Sequence, residues 1–420
     1  MDNNLSGQIV ISNQAKNDQY QLALQKIGTN KFKCIRCQMV NSCSIYSLAQ
    51  DEFYCPECIG LGRITNCDYA IIYPESNYFP ENNEPLTWKG QLTDKQFQVS
   101  QTLIETWKKK ENRLVWAVTG SGKTEMLFSL LEQAIINKDR IVIAAPRIDV
   151  CNELYPRIKS AFENTSVCLS HSQTKNEFFY SQILICTVHQ LLKFKNAFDL
   201  LIIDECDSFP LNGNLMLKRA ISNAGKKVNS TIFLSATPSE EIQRLKLPIS
   251  LLNRRFHGHD LPVPKFKLIW KDDSKKINNT LLAKIRKLFK KQQPFLLFVS
   301  SIKESEKLSN LLKRKIPQLK QTFVHSKDKT RTKKVEQFRQ NRWQALVTTT
   351  ILERGVSFKN VDVLIWNADS KRFDVQTLVQ IAGRAGRSKE HFDNQVIFYG
   401  EKFTNEIFLA IKQIRKLNHD

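Results

Sequence analysis

A glycine-rich segment that also carries a lysine and a threonine, Ala-Val-Thr-Gly-Ser-Gly-Lys-Thr, occupies residues 117–124. It directly follows an apolar, β-rich run at 114–118 and precedes an apolar helical pattern at 126–134. Strand, loop and helix in this order form the context in which such loops hold nucleotide phosphates. The alternative is a chance glycine-rich turn, and the matching flanks make it the weaker interpretation.

Each residue type in this loop has a role in phosphate chemistry. Gly120 and Gly122 let backbone N–H groups turn inward around phosphate oxygens, and the N-terminus of the next helix adds its positive end. Ser121 lies between them and belongs to the same predicted ATP-binding set. Lys123 is predicted to bridge the β- and γ-phosphates, and Thr124 to ligate Mg²⁺.

Two adjacent carboxylates, Asp204 and Glu205, follow the apolar run 200–203. Binding crevices of open parallel sheets lie at the carboxyl ends of their strands. Asp204 is predicted to hold the Mg²⁺ shell, and Glu205 to orient and deprotonate the attacking water. Alone, an Asp-Glu pair after a strand is a weak signal. It becomes a strong one about 80 residues after a phosphate loop.

Two arginines, Arg384 and Arg387, stand three residues apart in the segment 380–387. Residues at this spacing share one face of a helix, where two guanidinium groups could stabilise charge on a γ-phosphate. The alternative is a basic surface helix. Gly383 and Gly386 argue against it, since glycine is poor in a helix unless something packs closely against it.

Two further polar segments follow predicted strands. Ser235-Ala-Thr237 either relays between a nucleotide site and a polymer site or forms a Ser/Thr turn. The threonine-rich segment 348–356 contains Thr349 and Arg354, side chains of the kind that hydrogen-bond a phosphodiester backbone.

Four cysteines near the N-terminus, Cys34, Cys37, Cys55 and Cys58, form a C-x2-C-x17-C-x2-C pattern. Two such pairs match a tetrahedral zinc site. Four thiolates leave no open coordination position, so the predicted site is structural, and metal binding would supply much of the folding free energy of a small module. The alternative is a set of unligated, buried cysteines.

The composition bounds the class of protein. The 63 Lys and Arg exceed the 41 Asp and Glu, giving a net charge of +22 that favours a polyanionic partner, either nucleic acid or an anionic membrane face. We find no signal-peptide pattern and no apolar run long enough to span a membrane, and we therefore expect a cytoplasmic protein. In that reducing compartment the ten cysteines are not expected to form disulfides.

The 420 residues suit two or three domains of about 100–200 residues each. Residues 1–88 are predicted to form the four-cysteine module and a Pro- and Asn-rich linker, and 89–250 and 251–420 to form two α/β domains, with a connector at 247–265. Short apolar runs alternating with helical patterns indicate parallel sheets covered on both faces. The predicted strands are 114–118, 141–145, 183–186, 200–203, 231–234, 266–270, 295–299, 322–324, 345–348, 363–366 and 396–399.

The order of these motifs resembles superfamily 2 helicases with two tandem RecA-like lobes, over roughly residues 91–400. The resemblance implies that Gln96, preceded by Leu-Thr, recognises adenine. It implies that Pro146, Arg147 and Thr187 of the first lobe, and Ser300 of the second, contact a nucleic-acid backbone. It also implies that ATP binds between the lobes, with the arginine pair facing the phosphate loop and the acidic pair.

This sequence departs from the family pattern at two positions. Cys206 replaces the commoner alanine in the acidic box, which is a conservative change at a small position. Ser357 stands where many relatives have aspartate, and this puts a nucleotide or coupling contact in doubt. The aromatic-flanked glutamine element of DEAD-box RNA helicases is missing, so the chain is more similar to bacterial DNA motors.

A four-cysteine module placed before two helicase lobes resembles the ComFA-like late-competence proteins of Gram-positive bacteria. The resemblance implies an ATP-driven motor on single-stranded DNA that draws in transforming DNA at the inner face of the membrane. It also implies a DNA-entry channel and a phosphoribosyltransferase-like protein as partners. Primosomal helicases are the nearest rival family, but their chains are longer and their cysteines lie within the second lobe.

Three other functions share some of these features. They are an RNA helicase, a nucleotide-gated adaptor that binds DNA without moving along it, and a zinc-dependent scaffold with a degenerate ATPase. The last is the weakest, because no core nucleotide-binding residue is missing. The sequence leaves the oligomeric state open.

Overall fold

The computed structural model describes residues 3–48, 51–174, 178–270 and 278–419. The chain forms two compact units, and neither is continuous in sequence. The first comprises Met1–Val115 and Thr124–Ser250, and the second comprises Trp116–Lys123 and Leu251–Asp420. Most of the glycine-rich loop is therefore grouped with the second unit, although the strand before it begins in the first.

The N-terminal part of the first unit contains two small sheets of three strands each. Their strands pair antiparallel, in the orders β1-β6-β2 and β3-β4-β5. The strands are β1 (Ile9–Ser12), β2 (Gln21–Leu22), β3 (Leu24–Ile27), β4 (Lys31–Cys34), β5 (Val40–Ser42) and β6 (Tyr69–Ile72).

A sheet of seven strands follows, in the order β13-β7-β12-β11-β8-β10-β9. Strands β8 to β12 pair in parallel, and β8 and β10 are buried along their whole length because helices cover both faces. The elements are α1 (Asp94–Lys108), β7 (Arg113–Ala117), α2 (Phe128–Ile136), β8 (Ile141–Ala145), α3 (Ile148–Ala161), β9 (Val167–Ser170), β10 (Ile183–Thr187), β11 (Phe198–Ile203), α4 (Leu215–Ala224), β12 (Gly225–Ser235), α5 (Glu240–Gln243) and β13 (Ile249–Leu252).

The second unit contains a parallel sheet of six strands in the order β14-β19-β18-β15-β17-β16. Alternate residues of β15 enter two separate cores, one on each face of the sheet. The elements are β14 (Lys265–Leu268), α6 (Asn279–Lys290), β15 (Phe295–Phe298), α7 (Ile302–Lys315), β16 (Gln321–Val324), α8 (Arg331–Arg339), β17 (Ala345–Thr348), β18 (Asp362–Ile365), α9 (Val375–Ala382), β19 (Val396–Gly400) and α10 (Asn405–His419).

The predicted fold class, two α/β domains with parallel sheets, is confirmed. The six short strands β1 to β6 were not predicted, and two strands of the seven-stranded sheet also escaped prediction. β9 is short and mixes polar with apolar residues, and β13 lies inside the stretch 247–265 that was interpreted as a connector because of its prolines. No helix of the described residues is both long enough and apolar enough to cross a bilayer.

The Pro- and Asn-rich stretch 74–88, interpreted as a linker, contacts the rest of the first unit. The Asn77 side chain donates a hydrogen bond to Asp199 at 2.8 Å, and the Thr87 backbone N–H donates to the Ala161 carbonyl at 2.9 Å. The stretch is thus held at both ends. The domain boundaries after residues 88 and 250 stay predictions.

A buried ion pair joins the same stretch to the seven-stranded sheet. Arg140, just before β8, pairs with Glu75, and both side chains are fully buried. Arg140 also donates to the Ser6 carbonyl at 2.7 Å, and the Tyr180 hydroxyl donates to Glu75 at 2.5 Å. Burial lowers the pKa of Arg140, and the Glu75 charge opposes that shift. The pair therefore depends on both partners being present.

We predict that Glu75→Ala lowers the free energy of unfolding of the first unit by about 3–5 kcal/mol, because it leaves the Arg140 charge buried and uncompensated. Urea denaturation of the full chain measures the change. The exposed pair Arg244–Glu240 provides the control, and Glu240→Ala should leave the transition unmoved. Equal stability of the two variants would contradict the prediction.

Candidate nucleotide, nucleic-acid and metal sites

Four neighbouring strands of the seven-stranded sheet, β12, β11, β8 and β10, end in residues that the sequence analysis singled out. Ser235 closes β12, Asp204 follows β11, Pro146 follows β8 and Thr187 closes β10. Because these strands are parallel, their carboxyl ends meet at one edge of the sheet. The fold therefore brings together residues that are far apart in sequence.

The glycine-rich loop has a backbone that only glycine adopts easily. Gly120 and Gly122 have φ angles of 81° and 74°, in the left-handed region. Ser121 and Thr124 are buried beside them, and a short 3-10 turn leads into α2. Both glycines fit the predicted role of turning backbone N–H groups toward phosphate oxygens.

The acidic box is fixed by hydrogen bonds to its own backbone and to β12. Asp204 accepts one from the Glu205 N–H at 2.8 Å, and Glu205 itself has a left-handed φ of 49°. Asp207 accepts hydrogen bonds from the hydroxyls of Ser235 at 2.6 Å and Thr237 at 2.8 Å. Of the two interpretations of Ser-Ala-Thr, these contacts favour a connection to the nucleotide site over an isolated turn.

The prediction that Arg384 and Arg387 share a helical face is wrong. Helix α9 ends at Ala382, and both arginines lie in the turn that follows. Gly386 in that turn has a φ of 65°, which a continuing helix does not allow. The paired glycines thus mark the end of the helix, and other groups also pack closely against both of them.

The two arginines have different surroundings. Arg384 is buried and donates to the carbonyl oxygens of Glu353, at 2.9 Å, and Val356. Arg387 is partly exposed and donates to the Ser357 hydroxyl at 2.9 Å. Arg384 therefore holds the segment after β17, and Ser357, the residue that departs from the family pattern, hydrogen-bonds the other arginine.

The turn and the glycine-rich loop touch within the second unit. The Thr119 hydroxyl donates to the Gly383 carbonyl at 3.3 Å. A Cβ added to Gly383 would lie 2.0 Å from that hydroxyl oxygen, which explains why this position needs glycine.

Gln96 lies in the first turn of α1 as part of a capping box. Its side-chain oxygen accepts hydrogen bonds from the Thr93 N–H at 2.9 Å and the Thr93 hydroxyl at 3.2 Å. The side chain is buried. The role in adenine recognition stays a prediction.

The predicted nucleic-acid residues fall on the carboxyl edges of the two sheets, each described within its own unit. Arg147 is the residue immediately before α3, after β8, and Thr187 ends β10 in the first unit. Ser300 follows β15 and Thr349 follows β17, which are neighbours in the second sheet. Arg354 is instead buried, with its side chain 3.9 Å from the Glu353 carboxylate.

Glu304 was missed by the sequence analysis. Its carboxylate accepts hydrogen bonds from the Ser300 N–H and hydroxyl at 3.0 and 2.8 Å, and from the Asn367 side chain at 2.6 Å. It therefore joins the loops that follow β15 and β18. The sequence predicts strands at 295–299 and 322–324 with a helical pattern between them, and that pattern does not single out Glu304.

Four buried thiols form the candidate metal site. The sulfur atoms of Cys34, Cys37, Cys55 and Cys58 all lie within 4.8 Å of one another, with 3.8 Å between Cys34 and Cys58 and 3.5 Å between Cys37 and Cys55. Zinc–sulfur bonds of about 2.3 Å in a tetrahedron place sulfur atoms about 3.8 Å apart. The donor set therefore fits zinc.

The cysteine site is attached to α4. The Arg219 guanidinium donates to the Gln38 carbonyl, next to the first cysteine pair, at 2.8 Å. Gln38 has a left-handed φ of 59°. Loosening the cysteine loops would therefore disturb a helix of the α/β part of the first unit.

Comparisons with known proteins define the class. A family model described as DEAD/DEAH box helicase matches residues 97–245, and one described as Helicase conserved C-terminal domain matches 279–389. The structure of Saccharomyces cerevisiae Dbp5 bound to RNA and ADP BeF3 has a TM-score of 0.57 at 16% identity, covering 78% of this chain and 92% of that one. The chain is thus an ATP-hydrolysing helicase with two RecA-like domains, a class that uses ATP and Mg²⁺.

Curated relatives narrow the class to one family. The competence protein ComFA of Streptococcus pneumoniae (strain ATCC BAA-255 / R6) is 36% identical over 99% of this chain and 98% of its own length. The ComFA of Bacillus subtilis (strain 168) is 37% identical over 93% of this chain and 87% of its own. The chain belongs to the ComFA family and is a competence-associated, ATP-dependent helicase.

We predict that the purified chain holds about one zinc ion and that Cys55→Ser abolishes this binding, because three thiolates cannot close the tetrahedron. Elemental analysis measures the metal. The thermal transition of the first unit should also fall, because metal binding contributes to folding. The exposed Cys67 supplies the control, and Cys67→Ser should retain the metal. Full zinc content in Cys55→Ser would refute the assignment.

Proposed function

We propose that this chain is an ATP-driven motor on single-stranded DNA that draws in transforming DNA during natural competence. The main support is its similarity, over nearly the full length, to two competence proteins, combined with a complete set of nucleotide-site residues. The excess of positive charge, +22, suits a nucleic-acid substrate.

Residues of the loop and the acidic box carry the proposed hydrolysis. Lys123 and the loop N–H groups bind the β- and γ-phosphates of ATP, and Thr124 and Asp204 hold Mg²⁺, which neutralises phosphate charge when bound. Glu205 orients the attacking water and takes its proton. Its fixed left-handed backbone, beside the Asp204 hydrogen bond, supports such an oriented role.

Arg384 and Arg387 complete the proposed catalytic set. Arg387 is the partly exposed member, and we assign it the stabilisation of charge on the γ-phosphate in the transition state. Arg384 donates its hydrogen bonds to two backbone carbonyl oxygens. We therefore assign it the role of holding the segment 353–356 in place.

The proposed DNA contacts lie on the two carboxyl edges. Pro146, Arg147 and Thr187 would contact the DNA backbone from the first lobe, and Ser300 and Thr349 from the second. Arg354, which is buried, would act by shaping its loop.

The four cysteines are proposed to hold a structural zinc ion, as their geometry supports. The resemblance to late-competence proteins further supports work at the inner face of the cell membrane. It also supports a DNA-entry channel and a phosphoribosyltransferase-like protein as partners. Association of the purified chain with such a protein by gel filtration tests the last point.

ATP hydrolysis by the purified protein, with single-stranded DNA, duplex DNA or RNA, tests the substrate. Strong stimulation by single-stranded DNA alone is the expected result. Equal or greater stimulation by RNA would favour the RNA helicase. Slow hydrolysis with no polymer effect would favour the nucleotide-gated adaptor.

We predict that Lys123→Ala and Glu205→Gln each lower kcat for ATP by about 10²–10⁴-fold, since one removes a phosphate ligand and the other the general base. Steady-state phosphate release measures the effect, and circular dichroism checks the fold. Exposed residues of the same types serve as controls: Lys412→Ala and Glu240→Gln should hydrolyse ATP normally. Normal turnover in either active-site variant would refute the assignment.

A further inference from the structure

Arg255 follows β13, in the stretch predicted to be a connector, and its side chain is only 2% exposed. None of the described carboxylates pairs with it. A buried charge without a counter-ion is costly unless polar groups compensate for it. The polar groups that surround Arg255 therefore indicate what it does.

The Arg255 guanidinium binds the turn that carries Arg384 and Arg387. One terminal nitrogen donates to the carbonyl oxygens of Ala385, at 2.6 Å, and Gly386. The other donates to the Gly383 carbonyl at 3.3 Å. These carbonyls follow the C-terminal end of α9, where the helix dipole favours a cation.

The same segment also contacts the phosphate loop, within the second unit. The side chain of Arg255 lies 3.8 Å from the position of a Cβ on Gly120. The next residue, Phe256, donates its N–H to the Gly120 carbonyl at 3.1 Å. Arg255 thus lies against the loop on one side and the arginine turn on the other.

One oxygen atom joins all these groups. The Gly383 carbonyl accepts hydrogen bonds from Arg255, from Arg387 at 3.0 Å and from the loop residue Thr119 at 3.3 Å. Burial, with the nearby Arg387 charge, lowers the pKa of Arg255 to about 9. The guanidinium therefore stays charged at neutral pH and keeps its full donor set.

We propose that Arg255 is a positioning residue for ATP hydrolysis: it holds the Gly383–Gly386 turn against the phosphate loop and so keeps Arg387 directed at the nucleotide. This inference rests on the proposed ATPase function. Arginine is required because its planar guanidinium group donates to several acceptors at once, whereas the single ammonium group of lysine cannot match that geometry.

The test uses Arg255→Lys and Arg255→Gln in the full chain, with Arg254→Gln as the matched control. Arg254 is the adjacent residue, of the same type, and is exposed. Both Arg255 variants should lower kcat for ATP by about tenfold or more with KM for ATP changed less than about threefold, because the turn acts in the transition state. Arg254→Gln should hydrolyse ATP as the wild type does.

Thr119→Val provides a second, independent variant, because it removes the loop's donor to the same carbonyl without touching the buried charge. It should lower kcat, and combining it with Arg255→Lys should give less than the product of the two effects, as expected for groups that share one partner. If the Arg255 variants do not fold, an unchanged kcat in Thr119→Val overturns the proposal.

The outcomes separate this inference from the proposed function. Absence of ATPase activity in the wild-type chain would refute the proposed function itself. An active wild type with normal kcat in folded Arg255→Lys and Arg255→Gln would overturn only the role of Arg255. A raised KM with unchanged kcat would also overturn it, since that result indicates ground-state binding.

Discussion

Parallel pairing of buried strands is the constraint on which the chemistry of this chain depends. Parallel strands bring their carboxyl ends to one edge, and the loops at that edge are where side chains leave the core. In the seven-stranded sheet this edge carries Pro146, Thr187, Asp204 and Ser235. In the six-stranded sheet it carries the loops after β15, β17 and β18. Glu304 connects the first and the last of these loops by hydrogen bonds. The hydrogen-bonded register of the strands holds both sets of residues in place.

Sequence patterns predicted the features that local chemistry determines. The glycine-rich loop and the acidic box each follow a strand within a few residues, so residue type and order were enough to locate them. Most strands were predicted for the same reason, because buried parallel strands are nearly continuous apolar runs. The shared paired-cysteine spacing likewise indicated a cluster before any distance was known.

Features that depend on distant contacts were not predicted. The arginine pair was placed on a helix because spacing alone does not show that Gly383 and Gly386 end it. Arg255 lies within the predicted connector and was not singled out, since its hydrogen-bond partners lie about 130 residues further along the chain. The stretch 74–88 looked like a linker because proline and asparagine are common in loops, whether or not those loops are packed.

Two of the deeply buried arginines, Arg140 and Arg255, show different ways of compensating one charge. Arg140 is paired with a carboxylate and surrounded by aromatic rings, among them Tyr180, 4.7 Å away. Among the described residues, the hydrogen-bond partners of the Arg255 side chain are backbone carbonyl oxygens just after the end of a helix. A carboxylate partner suits a fixed structural joint. Dipoles leave the positive charge less completely neutralised, which suits a position beside the loop that we propose to bind phosphate.

The discontinuous second unit limits how this chain can be divided into fragments. Residues Trp116–Lys123 belong with Leu251–Asp420, so a fragment that stops at Ser250 keeps the glycine-rich loop but loses Arg255 and Phe256, which contact it. The complementary fragment keeps the arginine turn but loses Thr119. Truncation at the apparent lobe boundary would therefore separate the glycine-rich loop from the residues that contact it. The activity of either truncated protein would then be a poor guide to what that half does in the intact chain.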